Sequence, residues 1–148
     1  MLNRMKYRKG VFVIVYFKDK NKLKYLILKR KLHWKGWEFP KGGIKNKENI
    51  LKAVKRETKE ETGQNPINIK KYSLSGKYKY DKKYSDRPGL IGQTYTLFLA
   101  ELKNKKIKIS KKEHSSFKWL NYQSTLNTLT WPSQKKCLRY VNKIFKKL

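Results

Sequence analysis

Three glutamates in the segment Gly42–Gly63 have the residue type and spacing needed for metal-dependent chemistry. Glu57 lies three residues before Glu60 and four before Glu61, so a helix would place all three carboxylates on one face. Their mutual repulsion would be removed by a hard divalent cation with oxygen ligands, such as Mg²⁺ or Mn²⁺. Arg56 adjoins the cluster and could orient one carboxylate by a bidentate contact. The alternative is a solvated acidic helix face whose glutamates pair with neighbouring lysines. If only the spacing of the glutamates is considered, this alternative is favoured over a metal site.

The rest of the chain contains few acids. Its 148 residues include 39 Lys and Arg against 10 Asp and Glu, which gives a formal net charge of +29. Four of the ten acids belong to this one segment: Glu48, Glu57, Glu60 and Glu61. The lysines are spread over the whole chain, as biased codon usage would produce, but such a field would also attract nucleotides or RNA. The net charge therefore favours an anionic substrate over a cationic one.

A helix between groups of strands is predicted to position these residues. Apolar residues at helical spacing predict a helix over Asn46–Thr62, with Asn46 as its cap and Gly63 as its stop. The other predicted elements are strands at Val11–Phe17, Tyr25–Leu28, Ile67–Tyr80 (one or two), Thr94–Leu102, Ile107–Ile109 and Phe117–Leu120, a loop with a short strand at Trp34–Gly43, a loop at Tyr84–Gly92, and a basic amphipathic helix at Ser133–Leu148. This order predicts an α/β (α+β) fold with a mixed sheet between helices.

Length and hydrophobic content predict a single domain over residues 1–148. Cys137 is the one cysteine, so an internal disulfide is excluded, as expected in a reducing cytoplasm. Residues 1–10 are basic, but Lys18–Lys24 interrupts the apolar run that follows them. We therefore expect no signal peptide and no membrane span, and a cytoplasmic protein.

The glutamate segment resembles the Nudix box, the signature of a family of pyrophosphohydrolases. The glycine and charged positions of that motif are occupied by Gly42, Glu48, Arg56, Glu57, Glu60, Glu61 and Gly63. Two positions depart from it, because Thr58 and Gln64 stand where an aliphatic residue is usual. The resemblance implies the Nudix fold, a mixed β-sheet sandwiched between α-helices. It also implies metal-dependent hydrolysis of a phosphoric anhydride bond.

The same resemblance gives roles to the charged residues. Glu57, Glu60 and Glu61 are expected to hold Mg²⁺ or Mn²⁺, while Glu48 has a supporting role and is held by Arg56. Glu60 or Glu61 could also take a proton from water directly, so that ligand and general base are not separated by the sequence.

A second resemblance lies in residues 113–119 (EHSSFKW). In the family a remote glutamate shortly precedes an aromatic-basic-Trp strand, and Glu113 stands in that place. The resemblance implies that Glu113 joins the metal site or acts as general base, a role suited to a carboxylate less engaged with cations. The alternative is an ordinary surface acid in a lysine-rich loop.

Substrate contacts are expected from the residues before the helix and from aromatic rings. Lys41, beside Gly42 and Gly43, could contact phosphate, although it could equally be one lysine among many. Four tyrosines have rings able to stack on a purine: Tyr78, Tyr80, Tyr84 and Tyr95. Of these, Tyr84 and Tyr95 are predicted to bind the substrate. Tyrosines at strand spacing are more often structural. His33 and His114 could assist, but a lone histidine is usually structural too.

The substrate is predicted to be a nucleoside polyphosphate. Trp37–Ile44 (WEFPKGGI) and Ile91–Gln93 resemble segments of hydrolases that act on dinucleoside polyphosphates and on RNA 5′-triphosphate ends. The preferred interpretation is hydrolysis of a dinucleoside polyphosphate such as diadenosine tetraphosphate. The first alternative is removal of pyrophosphate from RNA 5′ ends. The second is a non-catalytic RNA-binding module on the same fold, against which the intact, mutually repelling glutamates argue.

Overall fold

A central β-sheet organises the chain. The computed structural model of the protein describes residues 6–146, which form eight strands and three helices. The strands are β1 (Lys6–Arg8), β2 (Gly10–Asp19), β3 (Lys22–Arg30), β4 (Gly36–Glu38), β5 (Lys41–Gly43), β6 (Asn68–Lys79), β7 (Leu90–Glu101) and β8 (His114–Leu120). The helices are α1 (Ile50–Thr62), α2 (Tyr122–Thr128) and α3 (Pro132–Lys146).

Strand β2 pairs with three others. It runs parallel to β7 and antiparallel to β3 and β5. Strand β7 also pairs in parallel with β1 and antiparallel with β6, while β3 pairs antiparallel with β4 and β8. The sheet is therefore mixed, as predicted.

Each face of the sheet is covered by a helix, because successive side chains of a strand point to opposite faces. One face packs β2 against α1 through Val11, Val13, Val15, Ala53 and Val54. The other packs β2 against α3 through Phe12, Ile14, Tyr16, Leu138 and Val141. These two apolar layers confirm the predicted fold class, a mixed sheet sandwiched between helices.

Helix α1 begins at Ile50, four residues after the start of the predicted range, and its cap is Asn49 rather than Asn46. The Asn49 side chain accepts a hydrogen bond from the Lys52 N–H at 2.8 Å. The preceding residues are not helical because Lys47 is in the left-handed region (φ 64°) and Asn49 is extended (ψ 158°). Gly63 ends the helix in the left-handed region (φ 81°), as predicted.

Other differences come from residues without a clear pattern. Residues Ile107–Ile109 form no strand, because Lys108 donates its backbone N–H to Thr62 O at 2.9 Å and the two isoleucines pack on the α1 side of the sheet. Helix α2 was not predicted, since its polar residues lack an apolar period. The second predicted helix is α3, and the last two residues of its predicted range, Lys147 and Leu148, lie outside the described residues. Among the described residues, no helix is long and apolar enough to cross a membrane.

Candidate active site

The Glu57 carboxylate lies against Gly42, which has no side chain and so leaves room for it. Strand β5 places Gly42 against this carboxylate, and a Cβ atom at Gly42 would collide with it. The neighbouring Gly43 has a similar constraint, because a Cβ atom there would collide with the Arg8 guanidinium. Both glycines therefore border the site, one beside an acid and the other beside a base.

Arg56 ties together one group of carboxylates, here named the Arg56 cluster (Arg56, Glu48, Glu57 and Glu60). Its Nε and Nη2 atoms donate to the two oxygens of Glu48 at 2.8 and 2.9 Å, a bidentate pair. Its Nη1 donates to Glu57 Oε1 at 2.7 Å and to Glu60 Oε2 at 3.4 Å, and Nη2 also donates to Gly43 O at 2.8 Å. The hydrogen bonds from Arg56 lower the pKa of Glu48 to about 2. Burial raises the pKa of Glu57 to about 7, although Arg56 opposes the change.

A second group, here named the inner cluster (Glu61, Glu113 and His114), has fewer internal partners. Glu61 is buried, and its Oε2 accepts the backbone N–H of Lys41 at 3.2 Å. Its Oε1 and the His114 Nδ1 lie 4.0 Å apart, and neither has a hydrogen-bond partner among the described residues. Burial raises the pKa of Glu61 well above its usual value, and repulsion from Glu57 and Glu113 adds to the rise.

The remote Glu113 joins the helix glutamates through sheet pairing. Strand β8 pairs with β3, and this register places His114 opposite Arg30. Glu113, just before β8, has its Oε2 atom 3.6 Å from Arg30 Nη1, and its side chain is 35% exposed. Glu61, Glu113 and His114 each offer one ligand atom, and these atoms lie within 4.8 Å of one another.

Sequence reasoning missed Glu38, a fully buried carboxylate at the end of β4. Glu38 accepts hydrogen bonds from Trp34 Nε1 at 2.9 Å, His114 Nε2 at 3.1 Å and Arg30 Nη1 at 3.4 Å. Burial alone would raise its pKa, but the nearby Lys41 and these donors lower the pKa to about 2. An acid inside the apolar run WEFP of an acid-poor chain was the signal that could have identified it.

Lys41 stands between aromatic rings in the wall of the site. Its Nζ atom lies 4.4 Å from the centroid of Trp34 and 4.7 Å from that of Tyr78. The same atom lies 3.6 Å from Glu38 Oε1. Burial lowers the pKa of Lys41, while the attraction of Glu38 opposes the change. The ammonium group is thus held in place rather than freely mobile.

Two cavities meet at this wall. One, of about 250 Å³, is charged, and its lining includes Arg8, Arg30, Glu57, Arg87, Lys112 and Glu113. The other, of about 470 Å³, is largely aromatic, and its lining includes Phe12, Tyr78, Tyr80, Tyr95 and Trp131. Four residues line both: Trp34, Lys41, Tyr78 and Gln93. A ligand with an anionic end and a flat apolar end could therefore occupy both cavities at once.

Comparison with known proteins identifies the family of the chain. The model of the NUDIX domain matches residues 6–141. The chain belongs to the Nudix hydrolase family. An RNA pyrophosphohydrolase of Nitratiruptor sp. is 31% identical, over 96% of this chain and 97% of its own length. One from Francisella tularensis is 28% identical, over 95% and 96%. Among solved structures, an Ap4A hydrolase from C. elegans superposes with a TM-score of 0.76 at 22% identity, over 95% of this chain and 99% of that one.

The two departures from the Nudix box are accommodated by polar contacts. Thr58 is buried, and its hydroxyl donates to Val54 O at 2.7 Å within α1. Gln64 donates from Nε2 to Asn104 Oδ1 at 2.9 Å and so ties the end of the helix to the segment after β7. Neither departure touches the carboxylates of the site.

The donor set of this Nudix chain fits a divalent cation. Carboxylate oxygens are the donors that hard cations prefer, and Glu57, Glu61 and Glu113 bring them together. The Oε1 atom of Glu61 is buried without a hydrogen-bond partner among the described residues, which is costly for a carboxylate unless a cation or a proton satisfies it. Glu60 is 52% exposed and lies at the outer edge.

Tyr84 and Tyr95, the two tyrosines predicted to contact the substrate, lie in different surroundings. Tyr95 lines the aromatic cavity, and its ring centroid is 5.6 Å from that of Phe12. Tyr84 is not among the residues lining either cavity. Its ring instead packs 4.4 Å from His33, and its hydroxyl donates to Asp81 Oδ1 at 2.6 Å. Tyr78 and Tyr80, the other tyrosines considered, also line the aromatic cavity.

Proposed function

We propose that the protein is a metal-dependent Nudix pyrophosphohydrolase that cleaves dinucleoside polyphosphates such as diadenosine tetraphosphate. The observation that carries this proposal is the shared wall between the aromatic cavity and the charged cavity. A nucleoside would occupy the first and its polyphosphate the second. Residues 113–119 resemble the segment of dinucleoside polyphosphate hydrolases in which a glutamate shortly precedes an aromatic-basic-Trp strand, and this resemblance favours the same substrate.

The residues of this chain would divide the work between binding and proton transfer. Bound to Glu57, Glu61 and Glu113, a cation such as Mg²⁺ would neutralise phosphate charge and lower the pKa of water. Arg8, Arg87 and Lys112 line the charged cavity and would bind the remaining phosphate oxygens. Gly42 leaves space for the Glu57 carboxylate.

If Glu113 does not itself hold the cation, it is the candidate for the general base. It is more exposed than Glu57 or Glu61, and it lies on a separate segment from the helix ligands. A proton from the attacking water would pass to a Glu113 oxygen, while the Arg30 guanidinium holds the carboxylate in position. Arg56 would keep Glu57 oriented through the 2.7 Å hydrogen bond.

A substrate panel tests this proposal. Purified protein with Mg²⁺ is incubated in parallel with diadenosine tetraphosphate and with 5′-triphosphorylated RNA, and the products are identified. We expect cleavage of the dinucleotide into two mononucleotides. The matched Glu61→Gln protein controls for a contaminating phosphatase and is expected to be inactive. If the unaltered protein does not cleave the dinucleotide, the proposal is wrong, and cleavage of the RNA alone would support pyrophosphate removal from RNA 5′ ends instead.

The nucleoside position is tested by two tyrosine variants. Replacing Tyr95 by Leu removes a ring from the aromatic cavity, and we expect the KM for the dinucleotide to rise about fivefold or more, since base stacking contributes ~1–3 kcal/mol. Tyr84→Phe is the matched control, because Tyr84 is absent from the lining of both cavities. Equal KM values for the two variants would place the nucleoside elsewhere.

A second candidate is pyrophosphate removal from RNA 5′ ends. The net charge of +29 and the relatives named RNA pyrophosphohydrolases favour it. If the basic surface captures RNA, log affinity should fall with log salt by about 0.7 per neutralised phosphate of a single strand. A flat salt response would leave the dinucleotide as the favoured substrate.

A further inference from the structure

We infer that His114 supplies its Nδ1 atom as a nitrogen ligand to a divalent cation shared with Glu61 and Glu113. The inner cluster would then be a mixed nitrogen–oxygen site, suited to a first-row transition metal ion such as Mn²⁺. This inference deepens the proposed function, since it concerns the cation on which that function depends.

Two buried atoms point to a ligand between them. His114 Nδ1 and Glu61 Oε1 lie 4.0 Å apart, on side chains that are 0% and 1% exposed. Neither has a hydrogen-bond partner among the described residues, although buried polar atoms are nearly always satisfied. Two metal–ligand bonds of about 2.1 Å span up to about 4.2 Å, so one ion can join both atoms with small side-chain shifts.

The other ring nitrogen of His114 fixes which form of the imidazole faces Glu61. Nε2 lies 3.1 Å from Glu38 Oε2, and an ionised carboxylate can only accept a hydrogen bond. A neutral ring therefore carries its proton on Nε2 and presents the lone pair of Nδ1. Arg30 Nη1 lies 3.4 Å from the same Glu38 oxygen and helps to hold this carboxylate.

This arrangement is the one that supports metal-bound histidines in general. A ligating imidazole usually donates its second N–H to a carboxylate, which fixes the ring and raises its basicity. Glu38 stands in that supporting position, buried between Trp34 and Lys41. His114 is thereby held on one side by a permanent partner and left open on the side of Glu61.

The remaining ligand comes from Glu113, which adjoins His114 in the chain. Its carboxylate is within 4.8 Å of both other ligand atoms and is partly exposed, so it offers a route for the ion from the charged cavity. Imidazole suits transition metal ions such as Fe²⁺, Ni²⁺ and Zn²⁺, whereas Mg²⁺ prefers oxygen alone; Mn²⁺ also favours oxygen but, as a transition metal ion, accepts a nitrogen ligand more readily than Mg²⁺. The inner cluster should therefore bind Mn²⁺ in preference to Mg²⁺, in contrast to the all-oxygen acids of the Arg56 cluster.

The direct test is pulsed electron paramagnetic resonance of the full chain with one equivalent of Mn²⁺ and no substrate. The chain has two histidines, so His33→Gln protein grown with ¹⁵N-labelled histidine carries the label at His114 alone. We expect a ¹⁵N coupling of a directly bound imidazole, replacing the ¹⁴N signal of unlabelled protein. A Mn²⁺ spectrum without histidine nitrogen coupling would overturn the inference.

Affinity measurements give a second readout. His114→Gln should weaken Mn²⁺ binding about tenfold or more by calorimetry, while Mg²⁺ binding changes less. Equal losses for both ions would count against a nitrogen ligand. The labelled protein needs no change at position 114, so the inference stays testable even if this variant does not fold. Hydrolysis without nitrogen coupling would refute the inference alone, whereas nitrogen coupling in a protein inactive on the substrate panel would refute the proposed function alone.

Discussion

The Arg56 cluster and the inner cluster hold similar acids in different ways. Both oxygens of Glu48 accept hydrogen bonds from Arg56, and the pKa of Glu48 falls to about 2. In the inner cluster one oxygen of Glu61 has no hydrogen-bond partner among the described residues, and its pKa rises well above the usual value. Glu48 is therefore satisfied without a ligand, whereas Glu61 is left with an unsatisfied carboxylate oxygen.

This difference distinguishes carboxylates that support the structure of the site from carboxylates that bind a cation. A charge that is already paired to a guanidinium gains little from a cation, while a buried and repelled carboxylate gains much. The inner cluster, together with Glu57, is therefore expected to bind the ion, while Glu48 and Arg56 hold the shape of the helix face. Changes in the two groups should consequently have effects of different kind and size.

The largest expected effect comes from Glu61→Gln. Turnover with saturating Mg²⁺ should fall about 10²-fold or more, because a metal ligand is lost. Glu60→Gln is the matched change, and because Glu60 is 52% exposed we expect a smaller loss. Metal-free Glu61→Gln protein should stay folded and melt slightly higher, since repulsion is relieved. A greater loss at Glu60 than at Glu61 would reverse the comparison.

Glu113→Gln should have the next largest effect. We expect the kcat to fall about tenfold or more with little change in KM, because its interaction belongs to the transition state. The pH–rate profile separates the two roles: loss of the acidic limb indicates the general base, and a raised metal requirement indicates the ligand. An unchanged rate and profile would show that Glu113 is a surface acid.

A moderate effect is expected from Arg56→Lys. Lysine keeps the charge but loses the fork that binds both Glu48 oxygens, so the Glu57 carboxylate should shift and kcat should fall about fivefold. The thermal midpoint should fall as well, because support for the loop before α1 is lost. The neighbouring exposed Lys55→Ala variant is the control, with neither change expected. A normal rate for Arg56→Lys would mean that the Arg56 cluster does not position the site.

The smallest effect is a dependence of stability on pH. The pKa of Glu57 is raised from 4.5 to about 7, so its stabilising contribution is present below about pH 4.5 and is lost as the pH rises through about 7. The pKa of Glu48 is lowered to about 2, so its contribution is present above about pH 4.5 and is lost as the pH falls through about 2. Metal-free protein should therefore melt lower at pH 8 than at pH 6, and saturating Mg²⁺ should reduce this difference. A metal-free midpoint that rises over this range would contradict the account.

The helix face was predictable because its residues are close in sequence. Helical periodicity alone brings Glu57, Glu60 and Glu61 together, and Gly63 ends the helix as expected. The cap was misplaced because Asn46 and Asn49 are equally good cap residues. The choice between them depends on the turn before the helix, where Lys47 is left-handed, and that turn exists only in the folded chain.

The inner cluster and the residues around His114 were less predictable because sheet pairing brings them together. Glu38, Arg30 and His114 come from three strands, and only the registers of β3 with β4 and β8 bring them into contact. Glu113 was found through family resemblance, not through any local pattern. Likewise, Tyr84 and Tyr95 look alike in sequence, and only the packing of α3 gives Tyr95 a place in the aromatic cavity.

Hydrolysis by metal-stripped protein tests the central claim most directly. The protein is freed of metal with a chelator, and turnover of diadenosine tetraphosphate is followed as Mg²⁺ or Mn²⁺ is added back. We expect no turnover in excess EDTA and full recovery on addition of either cation, because the inner cluster acts only when its carboxylates hold an ion. Full activity in excess EDTA would contradict this account.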